Sequence, residues 1–523
     1  MTLKTEAGVV PWLLLAGIGA AVLCFRLGAL PFVGADEPRY ARVAEEMHAS
    51  GDRVTPRLEG RPWLEKPPLY YWITLPFIAW LGPGETAARL GPAAAALATV
   101  LAAFALGRRL VGAPAAFSGA LVLATSLGFV AFGRSASTDM PLTACLTVSL
   151  ALLGHAAVEP SGSSARVVIG GAVLGLAALA KGPVAFALAA GIAVLFWWLD
   201  ARELPVRPGR LLLAAAAALA VAAPWYVLVL RANGFAFVSA FLLNHNLARF
   251  VSDVHHHSEP FYYYVPVVLG LLLPWTGWLP LLVPRKVLPL RAVDPAVLWL
   301  ACWAAFPLLF FSLSRSKLPG YVLPSLPPIA LLLGRRFVQG NVSRGQAAFF
   351  LALSAAAAAA LAAFLYASYG MGWTRCATIA LALAVPAAGA FLAARRGKAQ
   401  TAAALTALAG ALAVMAAAQL ALPALGTHHS TREIARTALE RRAADGPVVT
   451  FRFFHHTLHY YTGYTVAGEF ADLEPLREFA LGHPRFLVVA RVEDVAELRR
   501  LAGFFVTPLR RFGGLELVRV AHL

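Results

Sequence analysis

Hydrophobic and polar residues follow one another in long blocks along this chain. Up to about residue 425, apolar runs rich in Ala, Leu and Val are separated by short polar gaps. A helix needs about 20 apolar residues to cross a bilayer, and on that basis the runs predict about thirteen spans. The predicted spans are 8–30, 86–106, 113–131, 140–158, 167–181, 183–199, 211–231, 262–283, 295–313, 319–334, 347–369, 376–394 and 401–422. The pattern therefore predicts an α-helical polytopic membrane protein.

The gaps between the spans are of two kinds. Every second gap is basic, as at Arg108–Arg109 and Arg395–Arg396. Because Lys and Arg are enriched in cytoplasmic loops, we expect these gaps and the amino terminus to be cytoplasmic. The other gaps then face outward, and they hold most of the unusual polar residues. An odd number of spans also places the carboxyl terminus outside.

The pattern changes after about residue 425, where segments with strand and helix character alternate. Strands are predicted at 448–453, 466–470, 486–489, 504–509 and 515–520, and helices at 428–440, 473–480 and 493–501. This alternation is typical of a small α/β domain. We therefore predict a transmembrane domain at 1–425, with a long external loop at 31–85 containing interfacial helices, and an α/β domain at 426–523.

Composition supports the membrane interpretation and excludes other classes. The chain is 59% hydrophobic and only 14% charged, with a mean hydropathy of +0.69, which is too apolar for a soluble protein. The net charge of +17 lies largely in the gaps between apolar runs, so no nucleic-acid partner is expected. No phosphate-binding glycine motif occurs, which argues against a nucleotide-driven pump.

The external loop at 31–85 concentrates charge beside the membrane, where charged residues usually build a site or lie at an interface. Asp36 and Glu37 precede Pro38, which suits the first position of a helix, so one carboxylate could cap that helix. Asp36 could also act as a general base that takes or orients the proton of an acceptor. Arg39 lies at helical spacing and could pair with Asp36. These roles are compatible with one another.

Four segments of the chain occur in the order found in one enzyme family. They are DEPRYA, EKPPLYYW, AFGRSASTDMPL and SRSKLPGYVLPSLPP. With the chain length, the span number and the outward carboxyl-terminal domain, they resemble bacterial membrane glycosyltransferases that use polyprenyl-phosphate-linked sugars. That group includes the aminoarabinose-lipid A transferases and the protein O-mannosyltransferases. The resemblance implies a C-type glycosyltransferase fold, with an outward-facing cavity that a lipid-linked sugar enters laterally.

The resemblance also implies roles for two aspartates. Asp36 matches the catalytic carboxylate, and Asp139, in the RSASTDM segment, matches the second aspartate of the family. From local pattern alone, Asp139 could equally cap a helix that starts near Pro141. An acceptor would attack the anomeric carbon of the sugar, usually with inversion, while a lipid phosphate leaves.

The leaving phosphate needs cationic or hydrogen-bonding partners. The resemblance assigns Lys66, Lys317 and Tyr321 to it; by themselves the two lysines would be interface lysines whose ammonium groups reach water. Arg249 is a further candidate, or it contacts a phospholipid headgroup. Two outward-edge cations, Arg134 and Lys181, could bind headgroups or complete the cavity.

Histidines raise the question of a metal. The HSEPFYYY segment resembles a family segment in which a histidine precedes a Pro-Phe-aromatic run, and this selects His257. With Glu65 it could bind a divalent cation, zinc or magnesium, near the donor phosphate. The alternative is a solvated histidine-rich loop, because His255 and His256 depart from the family pattern. The histidines of the carboxyl-terminal region, including His456, are expected to be surface or packing residues.

We therefore expect an enzyme, a glycosyltransferase that moves a sugar from polyprenyl phosphate to a lipid A-like membrane lipid or glycolipid. It would lie in the bacterial inner membrane, with its amino terminus in the cytoplasm and its last domain in the periplasm. One alternative is a protein O-mannosyltransferase-like activity on secreted polypeptides. Another is a secondary transporter or lipid flippase, although the nearly charge-free interiors of the predicted spans argue against transport.

Overall fold

The architecture is taken from a computed structural model of the chain. The structure describes residues 8–159, 163–200, 208–248, 259–284, 289, 292–340, 342–501 and 503–522.

Long helices dominate the chain up to His429. In chain order they are α1 (Val9–Cys24), α2 (Asp36–Ser50), α3 (Leu69–Leu81), α4 (Glu85–Val111), α5 (Ala113–Thr125), α6 (Leu127–Gly133), α7 (Asp139–Val158), α8 (Ser164–Lys181), α9 (Val184–Leu199), α10 (Pro208–Asn233), α11 (Phe235–Phe237), α12 (Tyr264–Leu271), α13 (Pro295–Leu313), α14 (Leu326–Gln339), α15 (Arg344–Tyr369), α16 (Trp373–Arg395), α17 (Ala399–Leu420) and α18 (Leu422–His429). A π-helix follows α11 at Val238–Ala248, and 3₁₀ helices occupy Trp275–Leu282 and Pro319–Ser325.

Eight helices within the described ranges are long and apolar enough to cross a membrane. The number is ten if two bent pairs each count as one span: α5 with α6, at 65°, and α12 with the 3₁₀ helix that follows it, at 116°. The multi-pass character is thus confirmed, whereas the count of thirteen stays a prediction. Part of the difference is length, because α1 and α9 have only 16 residues each, about 24 Å of helix at 1.5 Å per residue. The predicted span 319–334 also begins as a 3₁₀ helix, in a proline-rich segment.

The segment 31–85, predicted to contain interfacial helices, folds into two packed helices joined by a hairpin. Helix α2 buries one face, on which Tyr40, Ala44 and Met47 recur at helical spacing, and it ends at Gly51, whose φ of 72° suits glycine. Helix α3 packs between α2 and α4. A two-stranded hairpin, β1 (Arg57–Leu58) and β2 (Arg61–Pro62), joins α2 to α3. These packed helices give the charged loop a fixed shape.

The carboxyl-terminal region contains a five-stranded mixed sheet. Its helices are α19 (Arg432–Asp445), α20 (His456–Tyr461), α21 (Leu473–Gly482) and α22 (Val495–Leu498), and its strands are β3 (Val448–Phe451), β4 (Val466–Phe470), β5 (Arg485–Arg491), β6 (Phe504–Phe512) and β7 (Leu515–His522). The strand order is β4-β3-β5-β7-β6, with β3 parallel to β4 and β5 and the other pairs antiparallel. The central strand β5 is apolar and buried along its whole interior, as a strand covered on both faces should be.

Candidate active site

Helix α2 presents Asp36 at its amino-terminal end. The N-cap position is Ala35, so Asp36 does not cap the helix; it lies in the first turn, where the helix dipole favours negative charge. Arg39 donates a hydrogen bond of 2.5 Å to Oδ1 of Asp36 and another of 2.9 Å to the Ala35 carbonyl. The Asp36 side chain remains 57% exposed. It is therefore held on one side and open on the other, as a carboxylate that meets a substrate must be.

The next residue, Glu37, is buried and faces the opposite way. It forms an ion pair with Arg89 of α4, with N–O distances of 2.7 and 2.9 Å. The Arg89 side chain is only 2% exposed. Adjacent carboxylates thus have different surroundings, one toward solvent and one in the core.

Asp139 lies at the start of α7 in a small charged and aromatic cluster. Its N-cap neighbour is Thr138, so Asp139 is not the cap predicted as one alternative. Its carboxylate forms an ion pair with the Lys181 ammonium, and both side chains are less than one fifth exposed. The same ammonium lies 4.6 Å from the ring centroid of Tyr321, which is close enough for a cation–π interaction.

Gly320, beside Tyr321, closes this cluster from a third element. A Cβ atom added to Gly320 would lie 2.8 Å from both Cγ and Oδ2 of Asp139. The LPGY segment therefore approaches the carboxylate as closely as a residue without a side chain permits. A larger residue at this position would displace either Asp139 or the segment.

A cavity of about 380 Å³ opens next to the cluster. Its walls are mostly apolar, with Phe241, Phe310 and Phe311 among the aromatic residues that line it. Its polar lining residues are Glu65, Lys66, Lys181, His245, Ser314, Ser316 and Tyr321. An apolar cavity with a few converging polar groups, two of them lysines, suits an amphiphilic anion.

The structure thus brings some of the predicted residues together and leaves others outside the cavity. Lys66, Glu65 and Tyr321 line it directly, whereas Asp36 and Lys317 are not part of its lining. The buried Lys317 ammonium donates to the main-chain carbonyls of Ser314, at 2.6 Å, and Glu259, at 2.9 Å. In this structure it therefore stabilises the chain around the SKLPGY segment rather than facing the cavity.

The predicted metal pair is only partly within the described residues. His257 and Arg249 lie outside them, so their predicted roles remain untested. Glu65 instead has His245 nearby, with 3.6 Å between Oε1 and Nε2. Among the described residues, no group of three or more His, Cys, Asp or Glu side chains could hold a metal ion.

Part of the chain is similar in sequence to known membrane glycosyltransferases. Residues 65–228 match the family model described as dolichyl-phosphate-mannose-protein mannosyltransferase. The chain is 35% identical over 340 residues to the undecaprenyl phosphate-alpha-4-amino-4-deoxy-L-arabinose arabinosyl transferase of Pseudomonas aeruginosa strain PAO1, covering 62% of this chain and 60% of the relative. It is 33% identical over 302 residues to the transferase of the same name from Edwardsiella ictaluri, covering 57% and 54%. The chain thus aligns with about three fifths or less of the length of these curated relatives.

Solved structures extend the likeness to the whole fold. The crystal structure of ArnT from Cupriavidus metallidurans bound to undecaprenyl phosphate superposes with a TM-score of 0.79 at 25% identity, over 98% of both chains. The chain thus has the C-type glycosyltransferase fold. The archaeal oligosaccharyltransferase AglB from Archaeoglobus fulgidus, with a TM-score of 0.51 at 13% identity, shares the fold alone.

The carboxyl-terminal domain touches the helix that bears Asp36. Tyr460 of α20 donates a 2.6 Å hydrogen bond to Glu45 of α2. Tyr461 donates to Glu85, also at 2.6 Å, and accepts from the Phe32 main-chain N–H at 2.7 Å. Two adjacent tyrosines thus join the last domain to the first external loop.

His456, at the start of α20, is electrostatically coupled to the same loop. The pKa of His456 is lowered to about 4, first by partial burial and then by the Arg39 charge, while Asp36 opposes the shift. His456, which the sequence predicts to be a surface or packing residue, therefore lies close enough to the Asp36–Arg39 pair to interact with it electrostatically. Tyr40, buried in α2, has its pKa raised well above the ordinary value, first by burial and then by Asp36, with a smaller contribution from Asp139. Tyr40 thus lies near both candidate carboxylates.

Several residues of the candidate site were not predicted from the sequence. The sequence identifies Lys181 only as an edge cation that could complete the cavity. In the structure it lines the cavity and forms an ion pair with Asp139. Gly320, His245 and Arg89 were not named as site residues. For Gly320 a signal existed, since it lies inside SKLPGY. For Arg89, a single charged residue within an apolar run was the available signal, because such residues are rarely without a partner.

Proposed function

We propose that the chain transfers a sugar from a polyprenyl-phosphate-linked donor to a lipid A-like glycolipid. The observation that carries the proposal is the cavity, which combines apolar aromatic walls with the lysines Lys66 and Lys181. The apolar part suits isoprenoid chain and the cations suit phosphate. The relatives named above transfer a sugar from undecaprenyl phosphate according to their names, and one solved neighbour is bound to undecaprenyl phosphate. These findings support the same donor class here.

The reaction would be a nucleophilic substitution at the anomeric carbon. An acceptor oxygen forms the new bond to that carbon, and the bond from the carbon to the donor phosphate oxygen breaks with its electron pair. Asp36 is the base or orienting group for the acceptor, because its carboxylate is exposed and is held in place by Arg39. The acceptor proton passes to Asp36, and polyprenyl phosphate leaves as the anion.

The leaving anion would be stabilised inside the cavity. Lys66 and Tyr321 offer a cation and a hydroxyl there, and Lys181 adds a second cation between Asp139 and Tyr321. Asp139 then acts by holding Lys181, which is the supporting role expected of it. Lys317, which lies outside the cavity lining, stabilises the SKLPGY segment that carries Tyr321. Arg249 stays a predicted phosphate ligand.

We also propose that a divalent cation, zinc or magnesium, binds beside Glu65. With bonds of about 2.0–2.1 Å, two ligands of a tetrahedral zinc ion lie about 3.3–3.4 Å apart. The 3.6 Å between Glu65 and His245 is near that separation, so the two side chains could share an ion. The predicted partner His257 is the second candidate. When bound, the cation would supply Lewis-acid stabilisation of the donor phosphate.

The orientation that fits this chemistry places the loop, the cavity mouth and the carboxyl-terminal domain on the periplasmic side of the inner membrane. The basic gaps, including Arg108–Arg109, support a cytoplasmic position for the opposite side. A lipid A-like acceptor on the outer leaflet would then reach Asp36 from the membrane plane.

The test is sugar transfer by purified protein in proteoliposomes. Radiolabelled sugars on undecaprenyl phosphate would be supplied with lipid A or with an unfolded secreted polypeptide, and wild type compared with Asp36→Asn. Labelling of lipid A that requires Asp36 is the expected result. Labelling of the polypeptide instead would establish the mannosyltransferase-like alternative, which the family-model match favours. No labelling by folded wild type with any donor would overturn the enzyme proposal in favour of transport.

A matched control is available for Asp36→Asn. Glu440 pairs with Arg436 one helical turn away, in an exposed position on α19, much as Asp36 pairs with Arg39. Glu440→Gln also removes one paired, exposed carboxylate. It should leave the rate of transfer at the wild-type value.

A further inference from the structure

The buried pair of Glu37 and Arg89 does more than neutralise two charges. The Arg89 guanidinium donates through Nε and one terminal nitrogen to the two oxygens of Glu37. Its remaining hydrogen bonds go to the main-chain carbonyls of Leu27, at 3.1 Å, Leu30, at 2.6 Å, and Pro31, at 3.2 Å. An arginine has five N–H donors, and these five hydrogen bonds use all of them.

Both carboxylate oxygens of Glu37 also accept main-chain hydrogen bonds. Besides Arg89, its Oε2 accepts from the main-chain N–H of Val33 at 3.2 Å. Its Oε1 accepts from the main-chain N–H of Ala136 at 2.9 Å. Ala136 lies in the turn between α6 and α7, three residues before Asp139.

The ion pair between Glu37 of α2 and Arg89 of α4 therefore joins three separate pieces of backbone. They are the segment 27–33 after α1, the first turn of α2 with Asp36, and the turn that leads into Asp139. Charge-assisted hydrogen bonds are stronger and more directional than neutral ones, so these bonds define the distance and orientation between the two turns. Asp36 is covalently adjacent to Glu37, so the rotation of α2 that buries Glu37 also sets the direction in which Asp36 points.

We propose that Glu37 and Arg89 are positioning residues that hold Asp36 and Asp139 in one reactive geometry. The proposal rests on the proposed transferase function, because it assigns those aspartates to the reaction. Neither Glu37 nor Arg89 lines the cavity. All five N–H donors of Arg89 are already used within the protein, so the pair acts through its neighbours. The cation and the carboxylate are both needed, since neither a neutral acceptor nor a lysine can make the same set of bonds.

Two conservative variants follow. In Glu37→Gln an NH₂ group replaces one carboxylate oxygen, which in the wild type accepts a hydrogen bond from Val33 or from Ala136. The new amide N–H groups would then point at other N–H donors and have no acceptor. In Arg89→Lys three donors replace five, and the bidentate contact is lost. Misplacing a reacting group by about 1 Å can cost about 100-fold in rate. We expect kcat to fall by about 10- to 100-fold in each variant, with the KM for the donor lipid within about threefold of wild type.

The control for general destabilisation is another buried carboxylate. Asp445 is 5% exposed and lies 3.5 Å from Arg519 and 3.7 Å from Arg441 in the carboxyl-terminal domain. Asp445→Asn should lower the melting temperature comparably but leave kcat unchanged. An effect on kcat equal to that of Glu37→Gln, at equal loss of stability, would overturn the positioning role.

A second readout does not depend on turnover. Spin labels at Ser50, at the exposed end of α2, and at Arg109, at the far end of α4, would be placed in a background lacking the four cysteines. Electron–electron distance measurements should give a broader or shifted distribution in Glu37→Gln than in the wild-type background. An unchanged distribution together with unchanged kcat would overturn the proposal. A broadened distribution in a protein whose wild type transfers no sugar would support the positioning and refute the transferase function.

Discussion

Tyr461 donates a 2.6 Å hydrogen bond to Glu85, a residue 376 positions earlier in the chain. The same hydroxyl accepts from the Phe32 main-chain N–H, and the adjacent Tyr460 binds Glu45. The carboxyl-terminal domain is thus bonded to α2, which bears Asp36, and to α4. Its contacts give a physical reason to expect that the domain stabilises the first external loop.

Replacing Tyr461 by Phe should loosen this junction. A hydrogen bond to a charged group contributes about 1.5–3 kcal/mol, and the loss would also leave the Phe32 N–H without its acceptor. We expect a lower melting temperature and faster proteolysis between α18 and α19. Tyr366→Phe, at an exposed tyrosine of α15, is the control and should change neither. Equal proteolysis of both variants would show that the junction does not depend on Tyr461.

Removing the charge of Lys181 should impair transfer severely. Lys181→Met keeps most of the side-chain volume but leaves Asp139 without its ion-pair partner and the cavity without one cation. We expect kcat/KM for the donor to fall by about 100-fold or more, because loss of one preorganised electrostatic contact typically costs that much. Lys398→Met, at an exposed lysine between α16 and α17, serves as the control. A variant with wild-type kcat/KM would remove Lys181 from the site.

Gly320→Ala tests the close approach of the LPGY segment to Asp139. The added methyl group would overlap the Asp139 carboxylate at 2.8 Å, so one of the two must move. We expect about a tenfold or larger loss of kcat, since displacement of a site by a fraction of an ångström is costly. Gly345→Ala is the matched control, because no atom lies within 4 Å of its added Cβ. Full activity in Gly320→Ala would mean that the position of Asp139 does not matter.

The metal proposal predicts sensitivity to chelators. Treatment with EDTA should abolish transfer, and added zinc or magnesium should restore it. In His245→Ala, restoration should need a much higher metal concentration, because one ligand is lost. Metal content measured by mass spectrometry on purified wild type provides a readout apart from activity. Full transfer after exhaustive chelation, with no bound metal, would refute the role of the cation.

His456 predicts a specific dependence of stability on pH. Its pKa in the folded protein is about 4, below the ordinary value of 6.5, so protonation favours the unfolded chain. The stability that it contributes is complete above pH 6.5 and is lost as the pH falls through about 4. His456→Asn should therefore show a smaller decrease in melting temperature between pH 6.5 and 4 than wild type. Identical decreases would indicate that His456 is not the titrating group.

Much of the architecture could be predicted because it depends on local pattern. Apolar runs locate the membrane helices, and strand β4 begins and ends where the residue pattern predicts, at Val466 and Phe470. The predicted helix at 428–440 is wrong in detail: it divides at Ser430 and Thr431 into α18 and α19. The short helix α20 was missed, because six residues are too few to show a helical period.

The candidate site was predictable only where a motif marks it. Lys66 and Tyr321 lie in recognisable segments, and the structure places both in the cavity. The partners of the motif residues depend on tertiary packing. Arg89 is 52 residues from Glu37, and nothing in either local sequence specifies that they meet. His245 lies in the π-helix after α11, and the motif that selected His257 gives no information about it.

The junction made by Tyr461 also sets an order of events during synthesis. Glu85 and Phe32 leave the ribosome long before their partner exists. At about 5–20 residues per second, the 376 positions between Glu85 and Tyr461 correspond to a delay of roughly 20–75 seconds. During that interval the first external loop must be held by Arg89 and the packed helices alone. A truncated chain that ends before α20 would therefore contain Asp36 and Asp139 but lack the tyrosine hydrogen bonds that hold the loop bearing Asp36.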